Sequence, residues 1–71
     1  MEFKANSYNA NEILKFIRQS TGKTQEQFSK EIEKSKNWVK NNEQGINRYF
    51  FEDLLKIANK YNIDIIIKKK N

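Results

Sequence analysis

The stretch SKNWVKNNEQG, residues 35–45, holds the side chains of this 71-residue chain that are best suited to recognising another molecule. Wound at the helical period, Trp38, Val39 and Asn42 fall on one side, while Lys36, Asn37, Lys40, Asn41 and Gln44 fall on the other. No acid stands on that second side. Lysine can donate to guanine O6 and N7, and asparagine can pair bidentately with adenine N6 and N7, provided a rigid element holds them at groove depth. A merely solvated helix face is the plainer reading, but such faces usually mix glutamate with lysine.

Other chemistries find little support. With no cysteine and no histidine, the chain has no disulfide framework, no His/Cys metal site and no thiol nucleophile. It also lacks a Gly-rich phosphate loop, and Glu26, Glu31, Glu33 and Glu43 read as helix-surface charges. The expectation is a protein that is not an enzyme and uses no cofactor and no metal. The longest apolar run, residues 65–67, is far too short for a membrane span, and the N-terminus has no signal-peptide pattern, so a cytoplasmic protein with no membrane partner is expected. At this length folding buries only about 60% of the surface of the unfolded chain, so a partner subunit would help. The net charge of +5 is unevenly placed: residues 23–48 carry six basic and four acidic groups, and residues 68–70 add three lysines. Small basic domains most often meet nucleic acid, although a membrane surface or an acidic protein would also fit.

The elements that must position residues 35–45 can be read from periodicity and caps. Ala10, Ile13, Leu14 and Ile17 mark a first helix over about residues 10–21, with Asn9 as N-cap, Glu12 behind it and Gly22 at the end. Thr24 and Gln27 form a capping box for a second helix over about 24–32, whose buried side is Phe28 and Ile32. Ser35 then caps a third helix that Gly45 closes, and so short a connection makes the two helices meet steeply, as in a helix-turn-helix over about 24–44. Phe51, Leu54, Leu55 and Ala58 carry a fourth helix to about Tyr61, with Glu52 and Asp53 suiting its first turn. Trp38, Tyr8, Tyr49 and Tyr61 read as core aromatics, and Phe16 as an edge-of-core contact.

The end changes character. IDIIIKKK is β-branched and partly alternating, which predicts a short strand over about 63–68 with Ile63, Ile65 and Ile67 on one face. A lone edge strand needs a partner, either residues 1–5 or the same tail in a second copy. The second, a two-fold interface, is the expectation. The lysines of residues 68–70 read as a solubilising tail that can also touch phosphates.

Gln25 opening a second helix, Ser35 opening a third, Val39 within it, EQG closing it, and then FEDLLKIANKYNI: this arrangement resembles the helix-turn-helix domains of the phage lambda repressor and Cro type, the XRE family, over residues 12–63. The resemblance implies an all-α, compact bundle of four to five helices, here with a short C-terminal β-strand, forming a single domain over residues 1–71. It implies a sequence-specific regulator of transcription that binds double-stranded DNA, as a homodimer on a palindromic operator, with the third helix in the major groove. Lys36, Asn37 and Asn41 would face bases, with Lys40 on the same side. Gln25 would meet a phosphate, and Asn47 would touch the backbone. Thr24, Ser35, Gln44, Lys23 and Arg48 complete the set of backbone candidates, the last two as neutralising cations. Lys, Asn and Ile make up 31 of the 71 residues, a bias that A·T-rich codons of a bacterium or its phage would produce.

The sequence departs from the family at several places. Ser29 stands for its small residue in the second helix, Glu33 for its turn glycine, Lys34 for an apolar turn residue and Asn42 for an apolar partner in the third helix, and the tail replaces a fifth helix. Competing readings are an antitoxin-type autorepressor whose tail also grips a toxin as second protein partner, and a protein-interaction or inhibitor module on the same fold.

Overall fold

Side-chain partners for orphan backbone groups decide where each helix starts. α1 (Ala10–Thr21) begins at Asn9, whose N–H donates to Glu12 Oε1 at 3.3 Å. α2 (Gln25–Glu31) begins with a reciprocal box: Thr24 Oγ1 accepts from the Gln27 N–H at 3.2 Å, and Gln27 Oε1 accepts from the Thr24 N–H at 3.0 Å. α3 (Lys36–Glu43) begins at Ser35, whose Oγ accepts from the Trp38 N–H at 3.0 Å. α4 (Phe51–Lys60) has an apolar N-cap, Phe50, with no side-chain acceptor to offer, so the Asp53 N–H donates to the Phe50 carbonyl at 3.0 Å while Asp53 Oδ2 accepts the Phe50 N–H at 3.3 Å. The computed structural model describes residues 9–67 in full and the backbone of residues 2–4. Tyr8 and the lysines of residues 68–70 lie outside the described residues.

Three helix ends close in the same way. The N–H two residues past the C-cap reaches back to the carbonyl five residues earlier: Lys34 to Ser29 at 2.9 Å, Ile46 to Asn41 at 3.0 Å and Ile63 to Ala58 at 2.8 Å. Each closure needs one residue in the left-handed region, and these are Glu33 at φ 59°, Gly45 at φ 79° and Asn62 at φ 54°. Gly45 adopts this conformation without strain and Asn62 with little, whereas Glu33 has a Cβ and no local compensation.

The chain buries one face of every helix. Leu14, Ile17, Phe28 and Val39 are almost wholly buried, joined by Ile13, Leu54, Ile57, Ala58 and Ile63. Ile32, Trp38, Tyr49, Tyr61 and Ile65 flank this core, with the Phe28 and Tyr61 rings stacked at 5.7 Å. The architecture is therefore small and mostly helical, in keeping with an all-α class. Two short strands complete it, β1 (Glu2–Lys4) and β2 (Asp64–Ile66), hydrogen-bonded in parallel with Phe3 opposite Ile65. The tail strand thus pairs within its own chain, on the N-terminal segment, and is shorter than the 63–68 expected. Its isoleucine face also ends early: Ile63 is buried and Ile65 half-buried, but Ile67 is 63% exposed.

Because Glu33 holds a left-handed φ with a Cβ, Glu33→Gly is expected to stabilise the domain by about 0.5 to 1 kcal/mol, the relief of strain exceeding the added freedom of the unfolded chain. Asn62→Gly is expected to gain less, since asparagine tolerates this region. Urea midpoints of the two variants check the order; equal midpoints would remove strain at Glu33 from the account.

Candidate nucleic-acid interface

The inner side of α3 is fixed first. Val39, Asn42 and Glu43 are buried, so Lys36, Asn37, Lys40 and Gln44 are exposed and Asn41 is half-buried on the opposite side. Trp38 stays at the edge of the core, its ring 6.5 Å from that of Tyr49 and beneath the Lys34 ammonium at 5.0 Å. Asn42 resolves its polar character in part: Nδ2 donates to the Trp38 carbonyl at 2.7 Å, while Oδ1 is buried without a partner. Since the Trp38 carbonyl only accepts, the atom facing it must be the amide nitrogen.

Glu43 is not the surface acid that the sequence suggested. Its side chain is 3% exposed and receives Arg18 in a two-pronged bond, Nε to Oε2 at 2.7 Å and Nη2 to Oε1 at 3.0 Å. Gln25 Nε2 adds a third donor, 3.3 Å from Oε1. Arg18 Nη1 also donates to the Lys23 carbonyl at 3.0 Å, so one guanidinium ties α1 to α3 and to the entrance of α2. The spacing carried a clue, because Glu43 lies four residues past Val39 and Arg18 four past Leu14, each one turn along a buried stripe.

The same bonds change the standing of two backbone candidates. The side-chain amide of Gln25 is engaged with Glu43, and the Lys23 ammonium lies 2.5 Å from Glu31 Oε2. Lys23 and the Tyr61 hydroxyl, which donates to Glu31 Oε1 at 2.8 Å, hold the Glu31 carboxyl below its usual range. Burial, reinforced by that bond to Glu31, raises the Tyr61 phenol, and burial alone pushes Tyr49 up to about 12. Thr24 and Ser35 are exposed and serve as caps; Gln44, Asn47 and Arg48 are exposed around the end of α3. Asn47 and Arg48 border, with Asn9 and Asn11, a hollow of about 410 Å³.

The result is a sorting of charge. Arg18, Lys23 and Lys34 pair with Glu43, Glu31 and Asp53, whereas Lys36, Lys40 and Arg48 enter no ion pair among the described residues. A helix face with unpaired ammonium groups and free amides, on a backbone braced from behind, can donate to base edges and to phosphates alike.

The brace is testable. Arg18→Ala leaves the buried Glu43 carboxylate uncompensated and is expected to cost about 3 to 5 kcal/mol, a large part of the stability of so small a domain. Arg18→Met combined with Glu43→Met should recover much of the loss. Chemical denaturation of the two variants decides, and a negligible effect of Arg18→Ala would show that the pair does not brace α3.

Comparison with known proteins adds no relative that would assign the interface: no family model, no curated protein and no solved structure matches the chain.

Proposed function

We propose that this chain is a helix-turn-helix protein of the lambda repressor and Cro type, a regulator of transcription that binds double-stranded DNA with sequence preference. The observation that carries the reading is the outward face of α3, where Lys36, Asn37, Lys40 and Asn41 stand without an acid while the neighbouring carboxylates of Glu43, Glu31 and Asp53 are neutralised elsewhere. The left-handed φ of 59° at Glu33, where the resembled family has its turn glycine, supports the same frame. In this reading Lys36, Asn37, Lys40 and Asn41 meet base edges in the major groove, and Arg48, Asn47 and Gln44 hold the backbone. Two copies on a palindromic operator would place their reading helices about 34 Å apart, one turn of DNA.

Selection of bound fragments from random duplex DNA tests the reading directly. On the selected site, Lys36→Ala or Asn41→Ala is expected to weaken binding by about 1 to 3 kcal/mol and to relax preference at one position per half-site. If both variants bind as the parent does, α3 is not the reader. The competing reading of a protein-interaction or inhibitor module on the same fold gives no selected sequence and no steep dependence of affinity on salt, whereas an antitoxin-type autorepressor would also select DNA and differs by binding a toxin as well.

Arg48 and Lys23 should now behave differently. Arg48→Ala is expected to weaken binding on all sequences and to make the slope of log affinity against log salt shallower by about one unit. Lys23→Ala should change the slope far less, because its ammonium is already neutralised by Glu31. A slope unchanged by Arg48→Ala would remove that residue from the backbone set.

A further inference from the structure

Asn42 carries the one buried side-chain polar atom that has no partner among the described residues. The residue is 2% exposed, and its Nδ2 donates to the Trp38 carbonyl one turn earlier on α3. The amide is planar, so Oδ1 points away from Trp38, toward the C-terminal end of the helix. There Asn42 borders the hollow of about 410 Å³ whose wall also includes Gly45, Arg48 and Tyr49. Two bonds frame that space: the Tyr49 hydroxyl donates to the Ala10 carbonyl, and Asn11 Nδ2 donates to the Glu43 carbonyl at 3.4 Å. The start of α1 and the loop after α3 are thereby held at a fixed spacing, with an unused acceptor between them.

The lining specifies what can enter. Arg48 is its only charged residue and enters no ion pair, and the Ala10 and Asn11 N–H groups in the first turn of α1 have no acceptor among the described residues. These groups call for an anion. Asn42 Oδ1 can only accept, so it calls for an N–H donor on the same molecule. A water would satisfy Oδ1 and leave Arg48 and α1 unanswered, and inorganic phosphate would do the reverse. The volume lies in the range of small-molecule sites, and side-chain amides beside an aromatic ring are groups that pair with the edge of a nucleobase. We propose that this hollow binds a nucleoside monophosphate whose base carries an amino group, the amino group donating to Asn42 Oδ1 and the phosphate held by Arg48 and the first turn of α1. Because Arg48 also belongs to the proposed DNA backbone set, a phosphate beside it has two sources, a free nucleotide and duplex DNA, and the test separates them.

Titration calorimetry of the full chain without DNA tests it, with adenosine 5′-monophosphate as the probe and inosine 5′-monophosphate, adenosine and inorganic phosphate as comparisons. Adenosine 5′-monophosphate is expected to bind, and the inosine compound, which places a carbonyl where the amino group was, to bind about tenfold more weakly. Arg48→Gln should weaken binding of the nucleotide about tenfold and leave that of adenosine unchanged. Asn42→Leu removes the orphan acceptor; it should unfold in urea no earlier than the parent, yet bind the nucleotide about tenfold more weakly. The contrast between the two nucleotides is read on the parent chain, so it stands even if Asn42→Leu fails to fold. Absence of binding, inosine 5′-monophosphate or inorganic phosphate binding as tightly as the probe, or a folded Asn42→Leu that binds as the parent does would each overturn the inference. If duplex DNA binds and the nucleotide does not, the phosphate belongs to DNA and the inference falls while the proposed function stands.

Discussion

One buried ion pair sets what the rest of this molecule can do. Glu43 sits on the inner side of α3, where a lone carboxylate would be strongly disfavoured, and Arg18 reaches it from α1 with two parallel bonds. Because Gln25 and the Lys23 carbonyl join the same cluster, the start of α2 is held in register with the end of α3. Rotation of α3 about its axis would break these bonds together. The exposed face of α3 is therefore set as much by this cluster as by the hydrophobic contacts of Val39.

The cluster also explains the distribution of charge that the proposed function uses. A chain with +5 net charge could scatter its lysines over the surface in balanced pairs. Here three acids are engaged close to α2 and α3, one buried by Arg18, one beside Lys23 and Tyr61, one bridging Lys34 and the cap of α4. Lys36, Lys40 and Arg48 enter no ion pair among the described residues, as is also true of Lys15, Lys30, Lys56 and Lys60, so the cations on the outward face of α3 keep their charge uncompensated.

Local chemistry was legible in the sequence to a degree that long-range chemistry was not. The four helices, the capping box of Thr24 and Gln27, the cap at Ser35, the left-handed glycines and the outward face of α3 all follow from residues within a turn or two of each other. Even the unusual turn at Glu33 could be expected once the spacing was compared with a known family. Glu43 was misjudged, and the ion pair of Lys23 went unseen, because their partners lie in other elements: Arg18 is 25 residues from Glu43, and Glu31 stands in α2 while Lys23 precedes it. An acid in a helical pattern looks like a surface charge until its partner is placed. The strand at the tail was visible in its isoleucines, but periodicity carries no information on whether such a strand pairs inside or outside the chain.

The pairing of β1 with β2 has a bearing on how the molecule assembles. Glu2 lies opposite Asp64, so this ladder closes a loop of about 60 residues, yet each strand contributes only three residues. Every helix, by contrast, is stabilised by bonds between residues a few positions apart. Such a ribbon has little to gain until α4 is docked and Ile63 is buried, which places it last in the order of assembly and makes it the region where hydrogen exchange should open first. The helical core and the ribbon are in this sense separate cooperative units, joined at Ile63 and Ile65, and opening of the ribbon need not disturb the cluster around Glu43 at all.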